Sequence, residues 1–303
     1  MITRIEIESW FKKLQDRICI GLEKLDSKVK FQEDKWMYHA GGGGRSRAVQ
    51  GGSILEKGGV NFSAVKGKMP ELLLKTLKIK AETSRELGFH ATGVSVVLHP
   101  QSPMVPIIHM NVRYFEMTNG IWWFGGGVDL TPHYIDLNLA KDFHQSMKAV
   151  CDIHHERYYA QFKAWADDYF YIQHRKETRG IGGIFFDRLT NQDGFDKAGR
   201  WAFVQDVGDA FIPAYTRQVQ ATRTLAYGKR EINWQRIRRG RYTEFNLVWD
   251  RGTKFGLQTN GRIESILMSL PPQANWVYNH QVAEGSKESK TQKLLKKGIN
   301  WLA

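Results

Sequence analysis

Two neighbouring stretches of this sequence alternate between apolar and polar side chains with a period of two residues. In residues 93–99 the apolar Val94, Val96 and Leu98 share one face, and residues 107–115 repeat the same division. A period of two is the repeat of a β-strand whose two faces meet different surroundings. The sequence therefore predicts an antiparallel sheet with one apolar face and one polar face.

The polar positions of these two strands carry unusual chemistry for a solvated surface. If the proline-rich loop 99–106 joins the strands as a hairpin in matching register, one patch collects Ser95, His99, His109, Asn111 and Arg113. A face that only meets water usually shows Lys, Glu and Thr instead. A hydroxyl, two imidazoles, an amide and a guanidinium are suited to orienting a ligand, and arginine is the residue type that binds carboxylates with two hydrogen bonds.

The third predicted strand contains three consecutive glycines, in IWWFGGGVDLTPHYID. Glycine weakens a strand, so the run indicates a bulge or a flat ligand lying against bare backbone. Asp129 follows it, either as a turn-forming acid or as a site residue. A two-residue turn at Asn119 and Gly120 would put Asp129 on the face opposite Arg113, whereas a three-residue turn or a bulge would put both on one face. The pattern leaves both registers open.

The rest of the chain predicts helices around this sheet within a single domain, residues 1–303. Trp10, Leu14, Ile18 and Leu22 recur every four residues, which is the buried stripe of a helix. With 303 residues, 42% of them hydrophobic, and no break in composition, we expect one folded α+β unit.

Composition and charge narrow the partners and the location. The net charge of +13 favours an anionic ligand, but no recognition-helix or RNP-like pattern indicates nucleic acid. No apolar run approaches the roughly 20 residues that an integral membrane segment needs. Cys19 and Cys151 stand outside any disulfide or metal-binding spacing, so we expect a reducing compartment and a cytoplasmic protein.

Seven segments, in this order, resemble the oxygen-dependent coproporphyrinogen III oxidase family: GGGGRSRAVQGG, EKGGVNFSAVKG, ATGVSVVLHP, VPIIHMNVRYFE, WWFGGGVDLTPHYID, DDYFYIQHRKETRGIGGIFFD and RGRYTEFNLVWDRGTKFGLQTNGRIESILMSLPP. The resemblance implies a single large antiparallel β-sheet flanked by α-helices on both faces. It implies oxidative decarboxylation of two propionates of coproporphyrinogen III to vinyl groups, with O2 as co-substrate, no organic cofactor, and CO2 and H2O2 as co-products. It also implies a homodimer formed through residues 242–277.

The same resemblance implies roles for particular residues. Asp129 matches the acid placed against the pyrrole nitrogens, and His109 matches a proposed proton donor. Substrate contacts match Ser95, Asn111, Val112, Arg113, Asn260, Gly261 and Arg262, with Asp250 and Arg251 as an acidic and basic pair near the cleft. Asn260 departs mildly from the family pattern, which often has glycine there.

A metal remains an open alternative at this point. His99, His109, His144 and His174 match positions treated in some family members as divalent-metal ligands, although their separations lack a short metal-ligand spacing. Two other functions also stay open, a tetrapyrrole carrier without catalysis and a histidine-metal hydrolase.

Overall fold

The structure is a computed structural model that describes residues 2–69, 74, 87–191, 194–259 and 261–303. Its strands are β1 (Gln32–Met37), β2 (Gly42–Gln50), β3 (Leu55–Lys68), β4 (Gly88–Pro100), β5 (Ile107–Met117), β6 (Trp122–Thr131), β7 (Tyr171–Ile172), β8 (Glu177–Thr178) and β9 (Gly182–Leu189). Its α-helices are α1 (Arg4–Leu25), α2 (Leu137–His154), α3 (Tyr158–Tyr169), α4 (Lys197–Thr222), α5 (Lys229–Glu244), α6 (Arg251–Gln258), α7 (Ile263–Leu267) and α8 (Lys287–Leu294). A π-helical turn, Phe245–Trp249, joins α5 to the segment before α6.

One antiparallel sheet organises the molecule, in the order β1-β2-β3-β4-β5-β6-β9. Its apolar face forms the core with α1 and α4, and its buried residues include Val94, Val96, Leu98, Ile108, Met110, Val112, Val128 and Ile184. Helix α7 and the residues after it lie on the other face, where Ser265 contacts Ser46 and Asn61. The predicted α+β class, with helices on both faces of a single large sheet, is confirmed.

Helix α1 shows how local sequence gives one of these layers. Thr3 and Glu6 form a reciprocal capping box, which satisfies backbone donors at the start of the helix. Leu14, Ile18 and Leu22 are buried against the sheet, as their spacing predicts. Among the described residues, none of the helices is both long and apolar enough to span a membrane.

The turn between β5 and β6 fixes which face Asp129 occupies. Met117 and Ile121 pair across a three-residue loop, Thr118, Asn119 and Gly120, and Gly120 has φ +84°, a conformation that glycine adopts without strain. An odd loop length keeps odd-numbered residues of both strands on one face. His109 therefore lies directly opposite Asp129. Of the two registers that the sequence left open, the structure has the one that places Asp129 beside the polar patch.

Candidate active site

The central strands of the polar face form the floor of a cleft. Ser95 pairs with Asn111 and Gly93 with Arg113, in the register that the hairpin prediction required. Ser95, His109, Asn111 and Arg113 are all partly exposed there. His99 lies on the same face but is buried. The segment that follows α7 covers it, and the Ser269 carbonyl oxygen of that segment lies 2.9 Å from His99 Nε2.

Asp129 is the buried acid of this cleft, and its partner is Arg179. The Arg179 Nη2 donates to both carboxylate oxygens of Asp129, at 2.7 and 2.9 Å. Burial raises the pKa of Asp129, but the charge of Arg179 and the hydrogen bond from His109 outweigh burial and hold that pKa below its ordinary value. Asp129 is therefore a carboxylate at neutral pH, although only 1% of the residue is exposed.

Arg179 is itself fixed by a polar contact and by aromatic rings. Its Nη1 donates to Asn246 Oδ1 at 2.8 Å. Its guanidinium carbon lies 4.5 Å from the ring centroids of Phe170 and Tyr242, and 4.7 Å from that of Phe245. Cations so placed over aromatic faces are stabilised by the ring quadrupole. The sequence reasoning missed Arg179; the signal was its place before the glycines of RGIGG, three residues before β9, the strand that pairs with β6.

His109 links the buried acid to the open cleft. Its Nδ1 lies 2.7 Å from Asp129 Oδ1. Since an ionised carboxylate only accepts hydrogen bonds, the proton of this contact belongs to Nδ1, and in the corresponding neutral tautomer Nε2 is the nitrogen that can accept a hydrogen bond. The His109 side chain is 21% exposed and that of Asp129 1%, so a ligand on the sheet meets the imidazole before the carboxylate.

Two different walls border the cleft. On one side, α7 and residues 268–270 sit on β2 and β3, with Asn61 Nδ2 donating to the Ser265 carbonyl oxygen and Lys57 Nζ to that of Leu270. On the other side, the rings of Tyr169 and Phe185 stack with centroids 4.0 Å apart. The open floor therefore spans β4, β5 and β6.

Asp250 and Arg251 belong to the second wall. Asp250 accepts a hydrogen bond from the Tyr169 hydroxyl at 2.9 Å and caps helix α6 by accepting from Thr253. The Arg251 guanidinium carbon lies 5.7 Å from the Tyr169 ring centroid. Both residues thus adjoin the aromatic pair rather than the acid itself.

The remaining predicted substrate contacts lie in different places. Arg262 pairs with Asp34 on β1 at the far side of the sheet, and the backbone amide of Gly261 donates to the Gly256 carbonyl oxygen. Val112 is fully buried on the core face, so its side chain points away from the cleft. Asn260 lies outside the described residues.

The four histidines matched to metal ligands do not come together. His144 lies between the Tyr159 hydroxyl and the Ile181 carbonyl oxygen, and His174 between Glu244 and Trp249. His99 and His109 have the separate partners given above. Within the described ranges, no three His, Cys, Asp or Glu side chains are grouped so that they could hold a metal ion. These residues do not fit a shared metal centre.

The class defined by this fold and site is an α+β protein with a hydrogen-bonded His–Asp pair on an open sheet face. Comparison with known proteins gives the family: the model of the family described as coproporphyrinogen III oxidase matches residues 6–301. This chain belongs to that family.

Relatives share the sequence over nearly the whole chain. An oxygen-dependent coproporphyrinogen-III oxidase of Synechococcus sp. (strain CC9605) is 49% identical over 311 residues, covering 95% of this chain and 85% of the relative. The enzyme of the same name from Prochlorococcus marinus (strain MIT 9312) is 45% identical over 311 residues, covering 95% of this chain and 90% of the relative. The resemblance seen in the seven motifs is thereby confirmed.

Proposed function

We propose that this protein is an oxidoreductase that converts coproporphyrinogen III to protoporphyrinogen IX with O2 as acceptor. The observation that carries the proposal is the His109–Asp129–Arg179 network beneath an open, glycine-bearing sheet face, in a chain that is 49% identical to an oxygen-dependent coproporphyrinogen-III oxidase. A flat tetrapyrrole can lie against such a floor. Its anionic propionates suit the arginines at the margins.

Each turnover of one side chain has a fixed balance. A propionic acid group and O2 give a vinyl group, CO2 and H2O2. The carbon attached to the pyrrole loses a hydrogen, the bond to the carboxyl carbon breaks, and the two electrons released reduce O2. Two such events on one substrate give the two vinyl groups of the product.

We assign acid–base work to His109 and Asp129 acting together. A pyrrole N–H above the floor can donate a hydrogen bond to His109 Nε2. As the proton moves to Nε2, Asp129 stabilises the positive charge that develops on the His109 imidazole. Withdrawing a pyrrole proton makes the tetrapyrrole more electron-rich and so more reactive toward O2. A pyrrole peroxide formed in this way would take a proton from the propionate carbon attached to the pyrrole, and its C–O bond would then break to release H2O2, with the second proton returned by His109. Loss of CO2 from the carboxylate would supply the electron pair that forms the vinyl group and restores the pyrrole.

Arg113 and Arg262 are the proposed carboxylate holders, with Ser95 and Asn111 as polar contacts between them. Arg113 lies on β5 and Arg262 next to Asp34 on β1, and four strand spacings of about 4.8 Å separate those strands by about 19 Å. The wall that α7 forms over β2 and β3 stands between the two arginines, so Arg113 is the holder proposed on the open floor and Arg262 is proposed from the family resemblance alone. Asp250 and Arg251 adjoin the Tyr169 side of the cleft, and these two residues and Gly261 are proposed only as secondary contacts.

The proposed reaction uses no organic cofactor, and O2 enters as co-substrate. A cytoplasmic location is also proposed, supported by two cysteines, Cys19 and Cys151, that are free and buried.

An aerobic assay with coproporphyrinogen III, run with and without a chelator, tests this function. We expect the two-vinyl product, measured by fluorescence after oxidation to the porphyrin, at the same rate in both samples. Binding without product would indicate a carrier and contradict the proposal. Loss of turnover on chelation, restored by a divalent metal, would instead bring back the metal-dependent alternative.

We further propose a homodimer formed through residues 242–277. Sixteen large hydrophobic side chains are exposed among the described residues, and seven of them fall in the short segment that runs from 247 to 278: Leu247, Val248, Leu257, Ile263, Trp276, Val277 and Tyr278. Exposed apolar side chains concentrated in this way are typical of an interaction surface.

Single aspartate substitutions test the dimer. Val248→Asp or Val277→Asp should weaken association at least about tenfold, because a charge would be buried among apolar side chains. Leu225→Asp is the matched control, since Leu225 is 45% exposed outside the segment and should leave association unchanged. Sedimentation velocity over a concentration series measures this. A wild-type protein that stays monomeric throughout would contradict the proposal.

A further inference from the structure

The guanidinium of Arg113 is held by two side chains before any ligand arrives. Its Nη1 donates to Asn111 Oδ1 at 2.7 Å and its Nη2 to Asp187 Oδ1 at 2.8 Å. A guanidinium has five N–H donors, so these two contacts leave three. The Arg113 and Asp187 side chains are 36% and 29% exposed, which keeps the pair within reach of a ligand in the cleft.

The pair crosses the sheet over bare backbone. Arg113 is on β5 and Asp187 on β9, with β6 between them, and Gly125 is the β6 residue paired with Arg113. A Cβ added to Gly125 would lie 2.6 Å from Asp187 Oδ1 and 2.8 Å from Arg113 Nη2. Any side chain at position 125 would therefore push the two charged groups apart. The ion pair thus explains why the first residue of the GGG run is glycine.

A bulge in β9 begins beside Asp187. Gly126 pairs with Phe186 but Phe124 pairs with Leu189, so β9 carries one extra residue at this point. Arg188 has φ +53°, an unusual conformation for a residue other than glycine. Asp187 lies on the polar face because it is two residues after Phe185, which pairs with Gly127, and the extra residue lets Leu189 turn to pack against the core. Strained residues of this kind cluster at functional sites.

We propose that Asp187 is a positioning residue. It fixes Arg113 over Gly125 so that the remaining N–H donors of Arg113 are directed at a substrate carboxylate. The inference rests on the proposed function, which supplies the carboxylate. Holding the guanidinium in advance lowers the side-chain entropy lost on binding, because a free arginine has many rotamers to give up. Asp187 acts through Arg113 and not on the reacting atoms.

Calorimetric titration with coproporphyrinogen III in the absence of O2 tests this role. Asp187→Asn should weaken binding about fivefold, the upper range for a partly exposed ion pair. Gly125→Ala should weaken it similarly by displacing the pair, and Asp187→Glu should recover part of the loss. Asp209→Asn is the matched control, since Asp209 forms an ion pair of 2.7 Å with Arg17, against 2.8 Å for Arg113 and Asp187, on the other side of the molecule.

The decisive comparison is a double-mutant cycle with Arg113→Ala. In that background Asp187→Asn should cause no further loss, because the residue that it positions is gone. Equal losses in both backgrounds, or unchanged or tighter binding by Asp187→Asn, would overturn the proposal while leaving the proposed function standing. A wild-type protein that does not bind the ligand would overturn both. Thermal melts of each variant separate these outcomes from unfolding.

Discussion

Replacing Asp129 with asparagine should lower turnover by about a thousandfold, a barrier increase of about 4 kcal/mol. Asparagine keeps the shape of the side chain and can still accept a hydrogen bond from His109 Nδ1, but it cannot stabilise a protonated imidazole by charge. The measurement is kcat for product formation from coproporphyrinogen III at saturating O2. Turnover within about tenfold of wild type would mean that Asp129 has no acid–base role.

The same substitution has a cost in stability that must be separated from its effect on chemistry. Arg179 is 3% exposed, so Asp129→Asn leaves a buried charge without its partner and should destabilise the fold by about 3–5 kcal/mol. The double variant Asp129→Asn with Arg179→Gln removes both charges and should recover most of that stability. Its turnover should stay low. Recovery of turnover together with stability would show that Asp129 is only structural.

Arg179→Gln alone should produce the second large effect, a loss of about 3–5 kcal/mol in the free energy of unfolding at pH 7. The buried carboxylate of Asp129 would then lack its main charge partner. Chemical denaturation at fixed pH measures the loss. Arg17→Gln is the matched control, because the Arg17 ion pair with Asp209 is about half exposed and should contribute less than about 1 kcal/mol.

The stability of Arg179→Gln should change with pH in a direction that identifies the buried Asp129 carboxylate as the cause of the loss. In the wild type the pKa of Asp129 is below its ordinary value, so its stabilising contribution is present above the unfolded pKa of about 3.9 and is lost as the pH falls through the folded pKa. Without Arg179, burial dominates and raises that pKa, so the variant should regain stability relative to wild type as the pH falls. Its turnover should decline over the same range. A deficit in stability independent of pH would contradict this account.

The β4–β5 part of the site could be predicted from sequence because strand period and loop parity are local properties. Odd-numbered residues of β4 had only to pair with odd-numbered residues of β5 for one face to collect Ser95, His109, Asn111 and Arg113. The position of Asp129 needed the turn type as well, and Asn119-Gly120 is compatible with loops of two or three residues. Only the pairing of Met117 with Ile121 decides between them.

Other parts of the site depend on contacts between distant segments. Arg179 reaches Asp129 across 50 residues of sequence, and Asp187 reaches Arg113 across 74. The covering of His99 by Ser269 is likewise set by tertiary packing. That residues 1–303 form a single domain stays a prediction.

The central claim is that the network of His109, Asp129 and Arg179 drives an oxidative decarboxylation that consumes O2. Its most direct measurement is an O2 pulse given to enzyme loaded with coproporphyrinogen III under anaerobic conditions, with vinyl groups, CO2 and H2O2 counted together. We predict no product before the pulse and equal amounts of all three after it, with the reaction about a thousandfold slower in the charge-free double variant. Vinyl product formed before O2 is added, or at the wild-type rate in that variant, would contradict the account.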